Sequence, residues 1–192
     1  MVASPIEVEV EDRPLTIDDL DAMPDDGNRY ELLQGELVVS PAPGGIHQEI
    51  LGILHVQLFN AVQSGKNGKV LLGPFDVQLS PNDVVEPDLF FFRLEQASQY
   101  SQRRFLGAPA FVIEIVSPSS GNIDRIRKAS LYVNSGVEEY WIVEPARRLI
   151  LVHDQSSGES SAHVVTAGAL TSRVVPTFTV DLGALFAIVP SE

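Results

Sequence analysis

The stretch Ala110-Phe111-Val112-Ile113-Glu114-Ile115-Val116, with the residues that follow it to Val143, decides the fold. Its first seven residues are apolar except for Glu114, the pattern of a strand buried on both faces. Ser117-Pro118-Ser119-Ser120-Gly121 reads as a turn, and Asn122 can cap a helix running to about Asn134. Gly136 ends that helix, and Glu139 to Val143 is a second apolar strand. Strand, helix and strand in this order form a βαβ unit, so part of the sheet is expected to be parallel.

Working outward, Arg148 to Val152 and Ser161 to Val165 read as further strands, and Leu182 to Phe186 as a closing helix. On the amino-terminal side, Lys69 to Leu72, Phe75 to Leu79 and Asp88 to Phe92 are strand-like. Pro87 is tolerable where the last of these begins, because its missing N–H breaks no ladder there. Residues 46–63 are helical: Ile50, Leu51, Leu54, Leu58, Ala61 and Val62 share one face at spacings of three and four. His47 projects on that face at its amino-terminal end, and Glu49 points roughly the opposite way. Tyr30 to Leu33 and Glu36 to Ser40 suggest a hairpin about Gln34-Gly35, preceded by a short helix capped by Thr16 and running to about Met23. The expected organisation is an acidic amino-terminal arm over residues 1–13 and one domain over residues 14–192.

Composition narrows the function classes. The chain of 192 residues is 44% hydrophobic and 20% charged, enough to bury a core. It has no cysteine, which removes disulfides, thiolate zinc sites and cysteine nucleophiles. No long apolar run marks a secretory signal or a membrane span, so a cytoplasmic protein without a membrane partner is expected. The net charge of −13 disfavours tight nonspecific binding to phosphate backbones. Arg103 with Arg104, Arg125 with Arg127 and Lys128, and Arg147 with Arg148 are nevertheless local basic clusters.

Glu114 is the most informative residue. Alternation puts it on the face shared by Val112 and Val116, and an uncompensated buried polar group costs about 2–7 kcal/mol. A cation, a lysine, a proton or water must therefore meet it; the alternative is a strand-end glutamate paired with an arginine near the surface. Asp88 begins another strand. Two carboxylates on adjacent strand ends suit a hard divalent cation, which takes oxygen ligands and keeps several waters. No phosphate-binding glycine loop, serine-nucleophile motif or zinc-finger pattern is evident.

A proline-aspartate, a spacer and a glutamate in an apolar strand resemble the PD-(D/E)XK nuclease superfamily. More narrowly, the chain resembles the Uma family of restriction-endonuclease-like proteins. The resemblance is carried in order by Tyr30-Glu31-Leu32-Leu33 with Gly35-Glu36, His47-Gln48, Glu86-Pro87-Asp88, Glu114-Ile115-Val116-Ser117-Pro118-Ser119, Asp124 with Lys128 and Tyr132, and Gly136-Val137 with Glu139-Tyr140-Trp141-Ile142-Val143. It implies an α/β fold of the restriction-endonuclease type, a mixed β-sheet core flanked by helices. It also implies a Mg²⁺- or Mn²⁺-dependent endonuclease acting on DNA, with Asp88 and Glu114 on the metal.

One departure matters. The superfamily usually has its lysine two residues after the glutamate, and that position here is Val116. The resemblance implies that Lys128, on the following helix, supplies the ammonium instead and that Glu31 is an added ligand. Spacing alone allows blander readings: a solvated Asp124–Lys128 pair, an exposed strand glutamate at Glu31, and a packing residue at His47, which could otherwise contact phosphate or hold a carboxylate. Ile123, Ile126, Ala129 and Val133 would form a separate apolar stripe on the helix. Tyr132, Trp141 and Phe90 to Phe92 read mainly as core. A noncatalytic binding or assembly module is the alternative from another class, and a glycosidase with paired acids is a third. Apolar Val143 to Val152 could contribute a sheet edge for a homodimer.

Overall fold

The computed structural model describes residues 13–190 except 25, 41, 117–121, 156, 157 and 159, and for residues 122–125 the backbone alone. The expected turn at 117–121, the side chains of Asn122 and Asp124, and all but Arg13 of the expected amino-terminal arm thus lie outside the described residues.

The chain opens with α1 (Ile17–Leu20), β1 (Arg29–Leu33), β2 (Glu36–Ser40) and α2 (Gly45–Gly65). It continues with β3 (Gly68–Leu72), β4 (Asp76–Ser80), β5 (Asp83–Val85), β6 (Leu89–Arg93), β7 (Arg104–Leu106) and β8 (Phe111–Ile115). The closing half holds α3 (Asn122–Ser135), β9 (Glu139–Glu144), β10 (Leu149–Asp154), β11 (Ser161–Val165), β12 (Ala169–Thr171), β13 (Thr179–Asp181) and α4 (Leu182–Phe186). A six-stranded sheet runs β11-β10-β9-β8-β6-β3 and a five-stranded sheet runs β2-β1-β5-β4-β7, while β12 and β13 pair separately.

The βαβ unit forms as expected: β8 and β9 are parallel with Glu114 opposite Ile142, and α3 crosses between them. Every residue of β8 is buried. Its two faces serve different layers. Phe111, Ile113 and Ile115 pack with Ile50, Leu54 and Leu58 of α2 and Leu185 and Phe186 of α4. Val112 instead packs with Ala129 and Tyr132 of α3 and with Leu33, Val77, Val85 and Phe105 of the smaller sheet. Glu114 shares the Val112 parity, so alternation turns its carboxylate toward α3 and the smaller sheet.

The structure differs from expectation at five places. The strand after Pro87 begins at Leu89, leaving Asp88 on the approach rather than within it. The helix capped by Thr16 is shorter than expected and ends at Leu20, although Thr16 and Asp19 do form the capping interaction at its start. β5, β7, β12 and β13 have three residues each, too few for a period-two pattern to register. The apolar segment Val143 to Val152 is not a sheet edge: β10 pairs with β9 on one side and β11 on the other. On α3, Ala129 is buried but Ile126 is 67% exposed, so the expected apolar stripe is only partly covered.

Candidate active site

Where the two sheets meet α3 and the start of α2, ionisable side chains gather inside the protein. Pairing of β6 with β8 runs from Phe91–Phe111 to Leu89–Ile113 and stops short of Pro87. Beyond it, the Ile115 N–H donates to Asp88 Oδ2 at 2.8 Å instead of to a ladder carbonyl. His47 Nε2, at the first turn of α2, lies 3.0 Å from the same oxygen. Arg29 Nη1 donates to the other, Oδ1, at 3.1 Å. Asp88 is 4% exposed. Burial alone would raise its pKa, but the His47 hydrogen bond and charge, the Arg29 guanidinium and the Ile115 N–H together hold it below its ordinary value.

Glu114 faces a different pair of donors. Lys128 Nζ is 3.2 Å from Glu114 Oε1, and Tyr132 Oη donates to the same oxygen at 2.9 Å. Both donors are one helical turn apart on α3, which brings them to the same spot. Among the described residues nothing donates to Oε2. Burial pushes the Glu114 pKa up to about 7; Lys128 opposes the rise, and the Asp88 and Glu31 carboxylates add to it. Burial would strip the Lys128 proton, yet Glu114 and Glu31 outweigh it and keep the ammonium charged above its ordinary range. The Tyr132 phenol is raised well above its ordinary value by burial and by Glu114, so it remains a donor.

Glu31 is not an exposed strand residue. It is 1% exposed, accepts from Lys128 Nζ at 2.7 Å and from the Glu86 N–H at 2.8 Å, and so ties β1 to α3 and to the segment before Asp88. All five candidates, Asp88, Glu114, Lys128, Glu31 and His47, therefore sit in one connected cluster. His47 packs at the helix start as its blander reading had it, but it also bonds Asp88, and its buried Nδ1 has no partner among the described residues.

Sequence reasoning missed Arg29, whose Nε meets Glu86 Oε2 at 3.1 Å and whose Nη2 reaches the Glu86 carbonyl. A signal existed: Arg29 and Glu31 are two apart on one strand and so share a face. Tyr132 is core, as expected, and also a donor to the site.

With Glu114 ionised and His47 neutral, Glu31, Glu86, Asp88 and Glu114 stand against two fixed cations, Arg29 and Lys128, an excess of two negative charges. That excess matches one divalent cation. Among the described residues no three His, Cys, Asp or Glu side chains converge as a ready-made metal cage. A Mg²⁺-type ion does not need one, because it binds through one or two carboxylates and keeps waters for the rest. Asp88 and Glu114 fit that requirement.

Among the described residues the arginines of the basic clusters meet partners within the protein, although Arg103 and Arg147 stay largely exposed. Arg103 and Arg104 pair with Asp21 at 2.6 and 2.5 Å, Arg127 with Glu36 at 2.8 Å and Arg147 with Glu144 at 3.2 Å. Arg148 donates to the Val189 carbonyl at 2.9 Å. No helix among the described residues is long and apolar enough to cross a membrane.

A mixed sheet flanked by helices, with buried acids at its strand ends and a lysine beside them, defines a protein of the restriction-endonuclease-like fold. A solved structure described as a putative nuclease belonging to DUF820 from Anabaena variabilis aligns with a TM-score of 0.78 at 18% identity, over 91% of this chain and 98% of that one. No curated protein matches. The sequence profile of Uma2, described as "Putative restriction endonuclease", matches residues 17–185, and the chain belongs to that family. The structural neighbour shows the shared fold, and it is the family's description that points toward a nuclease.

Proposed function

We propose that this protein is a divalent-cation-dependent endonuclease that hydrolyses DNA phosphodiester bonds. The observation that carries the reading is the position of Lys128 Nζ, 2.7 Å from Glu31 and 3.2 Å from Glu114: a buried ammonium stands beside the acids although Val116 holds its usual place in sequence. Asp88 and Glu114 would hold Mg²⁺ or Mn²⁺, which when bound supplies Lewis acidity toward a phosphoryl oxygen and acidifies a water. The chain's own residues do the rest. Lys128 holds the attacking water and offsets charge on the phosphate, Glu31 fixes Lys128, Tyr132 fixes Glu114, and His47 with the Ile115 N–H fixes Asp88. Water adds to phosphorus as the bond to the leaving sugar oxygen breaks; the proton that the water loses passes to solvent, and the leaving oxygen takes one up from solvent.

A second reading, a binding or assembly module that keeps the fold without turnover, is favoured by the engagement of the arginine clusters with carboxylates on a chain of net charge −13. Supercoiled plasmid separates the two. The nuclease reading expects nicked and linear products with Mg²⁺ or Mn²⁺, lost on chelation and in Asp88→Asn. Plasmid left intact with either metal, or cut equally by Asp88→Asn, would leave the module.

A further inference from the structure

The two oxygens of Asp88 are used unequally. Oδ2 is pinned by the Ile115 backbone N–H at 2.8 Å and by His47 at 3.0 Å, whereas among the described residues Oδ1 is met by Arg29 Nη1 alone, at 3.1 Å. A cation approaching Asp88 must therefore come to Oδ1, and there it meets a guanidinium that the Asp88, Glu114 and Glu31 carboxylates hold firmly charged against the opposing effect of burial. Two positive groups on one oxygen in a poorly solvated site repel strongly. Arg29 also has a second anchor, since Nε and Nη2 remain on the Glu86 side chain and carbonyl when Nη1 lets go. The Arg29 side chain is 19% exposed, against 5% for Asp88, so it lies on the solvent side of the pair.

We propose that Arg29 is a displaceable counter-ion: it reserves the cation position on Asp88 Oδ1 in the metal-free protein, and cation binding swings its guanidinium about the Glu86 anchor toward the phosphate of the nucleic acid. This rests on the proposed metal site but makes a separate claim about one residue. Arg29 neutralises the buried acid in the metal-free protein, gives way to the divalent ion, and then offers its freed Nη1 N–H groups to a phosphate oxygen while Nε and Nη2 stay on Glu86. It is a positioning residue for the cation before it touches substrate.

The test needs no turnover. Mn²⁺ binding to metal-free protein is followed by calorimetry for the wild type, Arg29→Met, Arg29→Lys and Asp88→Asn. Removing the competitor should tighten binding by about tenfold or more in Arg29→Met, with Arg29→Lys between it and the wild type. If the Met variant fails to fold, the lysine variant alone decides, since it keeps the charge but loses the forked contact. Binding in Arg29→Met or Arg29→Lys no tighter than wild type, with Asp88→Asn abolishing it, overturns the counter-ion role and leaves the metal site standing. Mn²⁺ bound only once Arg29 is replaced supports the role and sinks metal dependence in the wild type. No Asp88-dependent binding in any variant overturns both.

Discussion

Lys128 Nζ reaches back from α3 to within 3.2 Å of Glu114 Oε1, fourteen residues earlier in the chain. The ammonium is thus delivered to a buried acid by the crossover helix of the βαβ unit rather than by the strand itself. Lys128 is also the counter-ion of Glu31, so Lys128→Met leaves two buried carboxylates uncompensated. That should cost about 3–5 kcal/mol in stability and lower any cleavage rate by about a hundredfold or more. Added Mg²⁺ should restore part of the lost stability by replacing the missing charge. Thermal unfolding with and without metal checks it; an unaltered unfolding temperature would contradict the burial argument.

The second prediction concerns pH. The folded-state pKa of Glu114, about 7, lies above its ordinary 4.5, so the folded protein binds this proton more tightly than the unfolded chain. Stability from this group is complete below pH 4.5 and is lost as pH rises to about 7, a total of about 3 kcal/mol. Asp88, with its lowered pKa, contributes in the opposite sense, being lost on acidification. Urea unfolding at about pH 5 and about pH 8 should show the wild type losing more stability than Glu114→Gln between them. Equal losses would mean that Glu114 is ionised throughout.

Metal affinity should follow the same proton. A ligand must be deprotonated to bind, so Mn²⁺ affinity should rise up to about tenfold per pH unit toward neutrality and level off above about 7. Calorimetry across that range reads it, and a flat profile would remove Glu114 from the ligand set.

Tyr132→Phe deletes the phenol that donates to Glu114 at 2.9 Å while keeping the ring that packs against Tyr140. Lys128 still serves the oxygen, so the loss should be modest, about 1–2 kcal/mol, with the Glu114 pKa displaced further upward. Denaturant unfolding and the pH dependence of Mn²⁺ binding measure the two effects. A shift of the binding profile to lower pH would contradict the role assigned to the hydroxyl.

Gly35 joins β1 to β2 at φ 78, and a Cβ built there would lie 2.4 Å from Pro14 Cβ. Gly35→Ala is strained by both conformation and contact and should destabilise by about 2 kcal/mol or more. Because this turn ends the strand that carries Arg29 and Glu31, weaker Mn²⁺ binding should accompany the loss. Full stability with unaltered binding would show that the turn relaxes freely.

Much of this architecture is legible from residues 110–143 alone, because a nearly unbroken apolar strand, a helix and a second apolar strand leave few topologies open. Glu114 and Asp88 stand out for the same reason: charge in an apolar strand, or at its approach, must be answered. Lys128 is different. Its spacing is equally that of a surface helix pair, and only the ordered resemblance to the Uma family singles it out. The division into two sheets is hidden, since it depends on β5 and β7, each three residues long. Arg29 escapes because an arginine opening a hairpin looks solvent-bound until the fold brings Glu86 and Asp88 beside it. The pairing of Arg104 with Asp21 is equally hidden, since the two are 83 residues apart.

The central claim is that Asp88 and Glu114 share one divalent cation. Anomalous diffraction from crystals soaked in Mn²⁺ with a short DNA duplex tests it most directly. The account predicts a peak within about 2.0–2.3 Å of Asp88 Oδ1 and a Glu114 carboxylate oxygen. Density with no such peak at saturating Mn²⁺, and with Arg29 still on Asp88, would contradict it.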